Sequence, residues 1–149
     1  MIFVVTIAAA AIALVLHAAG WAPFGDPVTI PVSGAVAMCA MGVMARFIPA
    51  RRRGLVAMVP PAIPAREMVV LISGVCELAG GIGVLIPPLR PWAAACLVLF
   101  LLAVFPANVH QAHQRGDQDG TYLRRVLVRG GEQVAFVALC LWILIAAVA

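Results

Sequence analysis

Apolar residues form five long runs along the chain, and the connections between these runs hold most of the charged residues. The runs cover residues 1–20, 28–48, 67–87, 91–110 and 132–149. Each run approaches the ~20 residues with which an α-helix crosses ~30 Å of hydrocarbon. The sequence does not show the alternation of apolar and polar residues that would indicate a membrane β-barrel. We therefore predict an all-α membrane protein whose residues 1–149 form a single domain with five spanning helices.

The first run has an alternative explanation as a cleaved signal peptide, because small residues follow His17. The run lacks the basic segment with which a signal peptide begins, and its apolar stretch is long. We therefore predict that residues 1–20 form a retained helix.

The composition is that of a membrane protein. Hydrophobic residues make up 64% of the 149 residues and charged residues only 11%, whereas soluble domains have about half and about a quarter. The formal net charge is +4, and all ten basic residues are arginine. In a membrane protein the topology explains such a charge better than nucleic-acid binding does. We expect the chain to lie in the lipid bilayer and to have no nucleic-acid partner.

The arginines are unevenly divided between the two ends of the predicted helices. Nine of the ten lie at or after the carboxyl ends of the second and fourth helices. These nine are Arg46, Arg51, Arg52, Arg53, Arg66, Arg115, Arg124, Arg125 and Arg129. Because cytoplasmic connections are rich in basic residues, we predict a cytoplasmic amino terminus and an external carboxyl terminus. Trp21 and Trp92 then lie at the outer interface, where aromatic side chains are common.

Two connections on the predicted cytoplasmic side are long. Residues 49–66 contain a basic run, then a short apolar patch, and then Pro60, Pro61 and Pro64. We predict an interfacial loop there, with 54–59 near the headgroups or under the bundle. Residues 111–131 are the most polar stretch of the chain, and we predict a solvated loop there.

Glu77 lies near the middle of the third run, where an ionised carboxylate facing lipid is costly. At helical spacing it shares a face with Ser73, Gly80 and Gly81, and such small residues mark close contacts between membrane helices. We therefore expect the carboxyl group to point into the bundle, where burial favours its uncharged form. Two roles remain open: a proton-accepting or ligand-orienting acid, or a carboxyl group that fixes the packing of the helices.

A second group of polar residues lies at the cytoplasmic end of the predicted bundle. Pro106 leaves the carbonyl of Leu102 without its helical donor, and we expect a kink before Asn108 and His110. Glu77 lies roughly 10–15 Å deeper at helical rise. We predict a polar vestibule that is open to the cytoplasm, with Glu77 at its floor. Its other predicted residues are Arg46, Asn108, His110, Glu132 and Gln133.

Metal and thiol chemistry have weaker support. His110 and His113 share a helical face, but no third ligand has suitable spacing, so we predict no metal site. The four cysteines fall in four different helices without a C-x-x-C motif. A thiol cluster of Cys39, Cys76 and Cys140 beside Glu77 is one interpretation, and inert core packing is the one we favour.

Four segments carry a family resemblance. They are "GVMARFIP" (42–49), "MVPPAIP" (58–64), "SGVCELAGGIGVLIPPLR" (73–90) and "LAVFPANVHQA" (102–112). In order and spacing the chain resembles the DoxX-like family of small bacterial membrane proteins over residues 35–112. The resemblance implies a location in the bacterial inner membrane. It also implies a bundle of the second to fifth helices, to which the first helix is added.

The resemblance also carries expectations about the site. The DoxX-like family is similar to the membrane subunit of a thiosulfate–quinone oxidoreductase. Glu77 and Asn108 match positions of the family's motifs. One departure is Arg46, where relatives commonly have a histidine before the phenylalanine. Arginine does not deprotonate, so a proton-relay role of that histidine would be lost here.

Two functions follow as expectations, and whether the chain is an enzyme stays open. The first is a redox-associated subunit linked to quinone or thiols, with Glu77 as catalytic proton carrier, quinone as its cofactor and a redox or membrane protein as its partner. The alternative is a non-enzymatic binding or assembly protein that holds a lipid, a small hydrophobic ligand or a partner's helix, with a second copy of the chain among its partners. The expected ligand-binding residues are Arg46, Ser73, Glu77, Asn108 and His110.

Overall fold

A computed structural model describes residues 2–21, 25–119 and 122–148, with the backbone alone for 114–119. These residues form six α-helices and no strand. The helices are α1 (Ile2–Ala18), α2 (Thr29–Phe47), α3 (Pro49–Met58), α4 (Arg66–Gly83), α5 (Arg90–Asp119) and α6 (Tyr122–Val148). A short 3-10 turn at Pro87–Leu89 leads from α4 into α5. The prediction of an all-α protein is therefore confirmed for the described residues.

Three helical segments are long and apolar enough to cross a membrane. They are Thr29–Phe47, Pro87–His113 and Tyr122–Val148. Helix α1 is apolar but has 17 residues. Helix α4 has 18 residues and carries three charged side chains, on Arg66, Glu67 and Glu77. By length and composition, three of the five predicted spans are thus found as membrane-crossing helices.

Local chemistry explains where the central helices begin and end. The carboxylate of Asp26 accepts a hydrogen bond of 2.9 Å from the backbone N–H of Val28, one residue before α2 begins. The extended backbone of Ile48 ends α2, and Pro49 occupies the first turn of α3, where its missing N–H is harmless. At the end of α4, Arg90 donates a bond of 2.9 Å to the carbonyl of Val84.

The two predicted cytoplasmic loops are largely helical, so both predictions are wrong in this respect. Within 49–66, α3 forms a helix that contacts α2, α4 and α5. Within 111–131, α5 extends to Asp119 and α6 begins at Tyr122. Glutamine and arginine are good helix formers, so a polar composition does not end a helix. Residues 120 and 121, as well as Met1 and Ala149 of the terminal runs, lie outside the described residues.

Helix α2 lies at the centre of the fold, because it contacts α1, α3, α4 and α6. One apolar core joins it to α4, α5 and α6. The core residues of α2 are Val32, Ala35, Met38 and Cys39. Val84 directly follows α4, and the core residues of α5 and α6 include Leu97, Leu101, Cys140 and Ile143. Outward-facing side chains such as Leu99, Trp92 and Ile145 are mostly exposed. Large apolar side chains on the outer surface suit a protein that is surrounded by lipid.

Glycines bring α4 close to its neighbours. A Cβ atom added at Gly83 would lie 2.6 Å from the Cβ of Ala93 on α5, and one at Gly81 would lie 2.8 Å from the Cβ of Cys39 on α2. At Gly80 an added Cβ would collide with the side chain of Leu97. The small face predicted for this helix therefore faces two neighbouring helices.

Replacing Gly83 with alanine tests the α4–α5 contact. We expect Gly83→Ala to lower the free energy of unfolding by ~1–3 kcal/mol, because the new methyl group overpacks against Ala93. Ala93→Gly in the same chain should recover part of the loss. Thermal unfolding of the detergent-solubilised protein measures both effects.

Gly131→Ala is the matched control, since nothing lies within 4 Å of a Cβ at that helical position. We expect it to leave stability unchanged or to raise it by up to ~1 kcal/mol. Equal stability of Gly83→Ala and Gly131→Ala would contradict the close approach of α4 and α5.

Candidate functional site

An ion pair between α2 and α4 is the main polar contact inside the bundle. The Nη1 of Arg46, in the last turn of α2, lies 2.7 Å from the Oε2 of Glu77 in the middle of α4. The two side chains are only 15% and 11% exposed. Because both charges are largely removed from water, the charge of each side chain is compensated by the other.

Arg46 makes three further hydrogen bonds to the same region. Its Nη1 donates to the carbonyl of Gly42 at 2.6 Å, and its Nε donates to the carbonyl of Val70 at 3.0 Å. Its Nη2 donates to the hydroxyl of Ser73 at 2.9 Å, and that hydroxyl donates to the carbonyl of Val70 at 2.8 Å. Four of the five guanidinium N–H donors thus have an acceptor among the described residues.

Two glycines provide the space for this pair. A Cβ at Gly42 would collide with the carboxylate of Glu77, and a Cβ at Gly74 would lie 2.5 Å from the Cδ of Arg46. Glu77 therefore fills the position that a side chain at 42 would occupy, and Arg46 does the same above Gly74. The sequence places a glycine opposite each partner of the ion pair.

The ion pair changes two expectations from the sequence. The first placed Arg46 at the inner face and Glu77 roughly 10–15 Å deeper, but the guanidinium of Arg46 binds the carboxylate of Glu77 directly. The second favoured an uncharged carboxyl group through burial alone. The guanidinium at 2.7 Å opposes this effect of burial, because it stabilises the ionised form of the carboxyl group.

A second polar cluster lies between α5 and α6. The side-chain nitrogen of Asn108 donates to the Oε1 of Gln133 at 3.1 Å, and buried Gln133 donates to the backbone carbonyl of Leu101. Nearby, Arg129 donates to Gln111 at 3.1 Å. Helix α5 continues through Pro106. The backbone carbonyl of α5 that accepts a bond from the Gln133 side chain is that of Leu101. The carbonyl that was expected to lack its helical donor is that of the next residue, Leu102.

The predicted site residues therefore fall into two groups. Arg46, Ser73 and Glu77 form one bonded cluster between α2 and α4, whereas Asn108 is bonded to Gln133 between α5 and α6. His110 follows Asn108 on α5 and is partly buried. No hydrogen bond found among the described residues joins the two groups.

A cavity of ~600 Å³ adjoins the ion pair at the end of α2, and we call it the basic cavity. Its lining residues are Arg46, Phe47, Pro49, Arg52, Arg53, Val56, Ala57, Arg66 and Glu67. Helix α3, which was expected to be a loop, forms one wall. The predicted vestibule was to include Asn108 and His110, but neither residue lines this cavity. Arg46 is the member that the cavity shares with the ion pair.

The cysteines do not gather beside Glu77 as a group of three. Cys39 and Cys140 are buried in the apolar core, whereas Cys76 and Cys96 are exposed on the outer surface. Among the part of the chain that the structure describes, no three His, Cys, Asp or Glu side chains lie together as a metal site would need.

Three elements of the site were not predicted from the sequence. The role of Gly42 and Gly74 was not foreseen, although glycines at helical spacing opposite a buried acid are a usable signal. The helical nature of α3 was also missed, so the basic cavity could not be anticipated. Gln133 was placed at the inner face, but its bond to Leu101 depends on the packing of α6 against α5.

Comparison with known proteins identifies a family for this chain. A family model described as a domain of unknown function, DUF8561, matches residues 35–144. This range contains the ion pair, the basic cavity and the α5–α6 cluster. No curated protein and no solved structure matches the chain.

A double-mutant cycle on Arg46 and Glu77 tests the buried pair. Arg46→Met or Glu77→Leu alone should lower the free energy of unfolding by ~3–5 kcal/mol, because each leaves one buried charge without its partner. The double variant should lose far less than the sum of the two, since no charge remains. Thermal or denaturant unfolding of the solubilised protein measures the cycle.

The matched control is the exposed pair of Arg52 and Glu67, which joins α3 to α4 at 3.2 Å with side chains 53% and 75% exposed. The cycle of Arg52→Met and Glu67→Leu should give a coupling of only ~0.2–1 kcal/mol. Equal coupling in the two cycles would show that Arg46 and Glu77 are not a buried pair.

Gln133→Leu tests the α5–α6 cluster. We expect a loss of ~1–3 kcal/mol in stability, because the carbonyl of Leu101 and the amide of Asn108 lose their buried partner. Val134→Ala, at a neighbouring side chain that is 69% exposed, serves as the control and should change stability much less. If the two variants unfold alike, the assigned hydrogen bonds are wrong.

Proposed function

The chain belongs to the DUF8561 family, and we propose that it is a multi-pass membrane protein that binds a small amphiphilic ligand at Arg46, Ser73 and Glu77. The observation that carries this proposal is the buried ion pair between two helices of the apolar core. Apolar residues of similar volume often serve stability as well as a buried ion pair does. Ionisable residues inside membrane proteins are therefore taken first as functional.

The arrangement of the proposed bundle follows the DoxX-like pattern. In it α2, α4, α5 and α6 form a four-helix bundle, and α1 is added against α2. Two sets of contacts support this arrangement: α2 contacts α1, α4 and α6, and α5 contacts α4 and α6. Helix α5 has 30 residues and α6 has 27, or about 45 Å and about 40 Å at helical rise, so both extend beyond ~30 Å of hydrocarbon.

The proposed orientation is that of a bacterial inner-membrane protein with a cytoplasmic amino terminus and an external carboxyl terminus. The basic cavity and the arginine-rich beginning of α6 then face the cytoplasm. Trp21 and Trp92, both exposed, lie at the opposite interface. This orientation places the ion pair on the cytoplasmic half of the membrane.

The chemistry of the ligand follows from the donor that Arg46 retains. Four of its five N–H groups are bonded to Gly42, Val70, Ser73 and Glu77, which leaves one donor for an incoming acceptor. A carbonyl or an anionic oxygen suits this donor. The exposed apolar surface around the helices accommodates the hydrophobic part of such a ligand.

A redox-associated role is the second candidate, since the carbonyl of a quinone has the acceptor chemistry that the spare donor requires. In that role Glu77 would act as the proton carrier. The ion pair favours binding over proton delivery, because a carboxylate that is held ionised by Arg46 has no proton to give. We therefore place binding first, with quinone as one member of the ligand class.

Mass spectrometry of the small molecules that remain with gently solubilised protein tests the proposal. We expect a retained amphiphile with a carbonyl or an acidic head. Glu77→Gln and Arg46→Gln should reduce its amount by about 10–100-fold, the effect of losing a charge-assisted hydrogen bond. A retained quinone would support the redox role.

Glu67→Gln is the matched control, because it removes an exposed carboxylate from the same helix. It should retain the wild-type amount of ligand. Equal retention in Glu67→Gln, Glu77→Gln and Arg46→Gln, or no retained molecule in any sample, would contradict the proposal.

A further inference from the structure

The basic cavity holds more positive than negative charge. Four arginines line it, and Glu67 is the carboxylate among its lining residues. Arg46 is neutralised by Glu77 at 2.7 Å and Arg52 by Glu67 at 3.2 Å. The two other arginines of the lining are Arg53 and Arg66.

Arg53 on α3 and Arg66 at the start of α4 have no carboxylate partner among the described residues. Both line the same concave surface, Arg53 exposed and Arg66 partly buried. Like charges that converge in a concave surface repel each other and raise the local concentration of anions. The cavity therefore offers two guanidinium groups to an anion.

The wall beside these charges is apolar. Phe47, the last residue of α2, is 81% exposed and lines the cavity together with Val56 and Ala57 of α3. No residue of α3 is buried within the fold. Helix α2 is a membrane-crossing candidate that ends at Phe47, so a membrane crossed by α2 would have its headgroup region beside the cavity.

From this juxtaposition we propose that the basic cavity binds the phosphate of an anionic phospholipid, held by Arg53 and Arg66, with an acyl chain along Phe47 and Val56. Guanidinium groups bind phosphate oxygens through two parallel hydrogen bonds. Basic pockets on the cytoplasmic side of membrane proteins are suited to such headgroups. The site is independent of the ligand proposed for Glu77, since neither Arg53 nor Arg66 takes part in the buried pair.

The test measures the thermal midpoint of the full chain in a mild detergent, together with native mass spectra of bound lipid. The probes are phosphatidylglycerol, zwitterionic phosphatidylcholine and inorganic phosphate. We expect phosphatidylglycerol to raise the midpoint and to stay bound, and phosphatidylcholine to do neither. A rise of equal size with inorganic phosphate would support the phosphate site but overturn its assignment to a lipid.

The variant Arg53→Gln with Arg66→Gln should weaken binding of phosphatidylglycerol by about 30-fold, or about 5-fold for each arginine. The matched control is Arg51→Gln with Arg124→Gln, which removes two arginines that do not line the cavity. It should retain wild-type binding. Equal loss in both double variants, or no loss in the first, would overturn the proposal.

Two further variants keep the outcome decisive. If Arg53→Gln with Arg66→Gln elutes as an aggregate, Arg53→Gln alone changes an exposed side chain and should still bind about 5-fold more weakly. Glu77→Gln should retain the effect of phosphatidylglycerol. A loss of that effect in Glu77→Gln would overturn the independence of this site from the buried pair.

Discussion

The contact between Arg46 and Glu77 sets the geometry of α2 and α4. A buried guanidinium and a buried carboxylate are each unfavourable alone, so the two helices must meet where the charges cancel. Gly42 and Gly74 make this meeting sterically feasible, because a side chain at either position would occupy the space of Glu77 or Arg46. Ser73 and the carbonyls of Gly42 and Val70 complete the bonding of the guanidinium. The ion pair of Arg46 and Glu77 thus fixes where α2 and α4 contact each other and how closely they approach.

The same contact connects the interior of the bundle with its basic end. Arg46 lies both in the buried pair and at the edge of the basic cavity. Helix α3 builds the outer wall of that cavity and carries Arg53, while α4 begins there with Arg66. The surface that leads to Arg46 is therefore a region of positive potential. In contrast, the α5–α6 cluster of Asn108 and Gln133 fixes two long helices to each other and has no bond to the ion pair among the described residues.

The periodicity of apolar residues predicted the helical class and the positions of the main helices, because hydrocarbon imposes length and composition on a spanning helix. It also placed Glu77 on an inward face with Ser73, and the structure shows this. The two cytoplasmic loops were predicted poorly, because a polar sequence leaves the hydrocarbon but can still be helical. Helix α3 and the extension of α5 to Asp119 lie where loops were predicted. Arg46 was not predicted as the partner of Glu77, because the spacing of residues along the chain does not show how far a long side chain reaches.

The ionisation state of Glu77 is the most direct test of this account. Infrared spectroscopy of the solubilised protein, with Glu77→Gln to assign the band, distinguishes a carboxylate from a protonated carboxyl group. We predict a carboxylate in the wild-type protein at neutral pH, and a protonated group once Arg46→Gln removes the partner. A protonated Glu77 in the wild-type protein would contradict the ion pair on which the fold of α2 against α4 and the proposed site both depend.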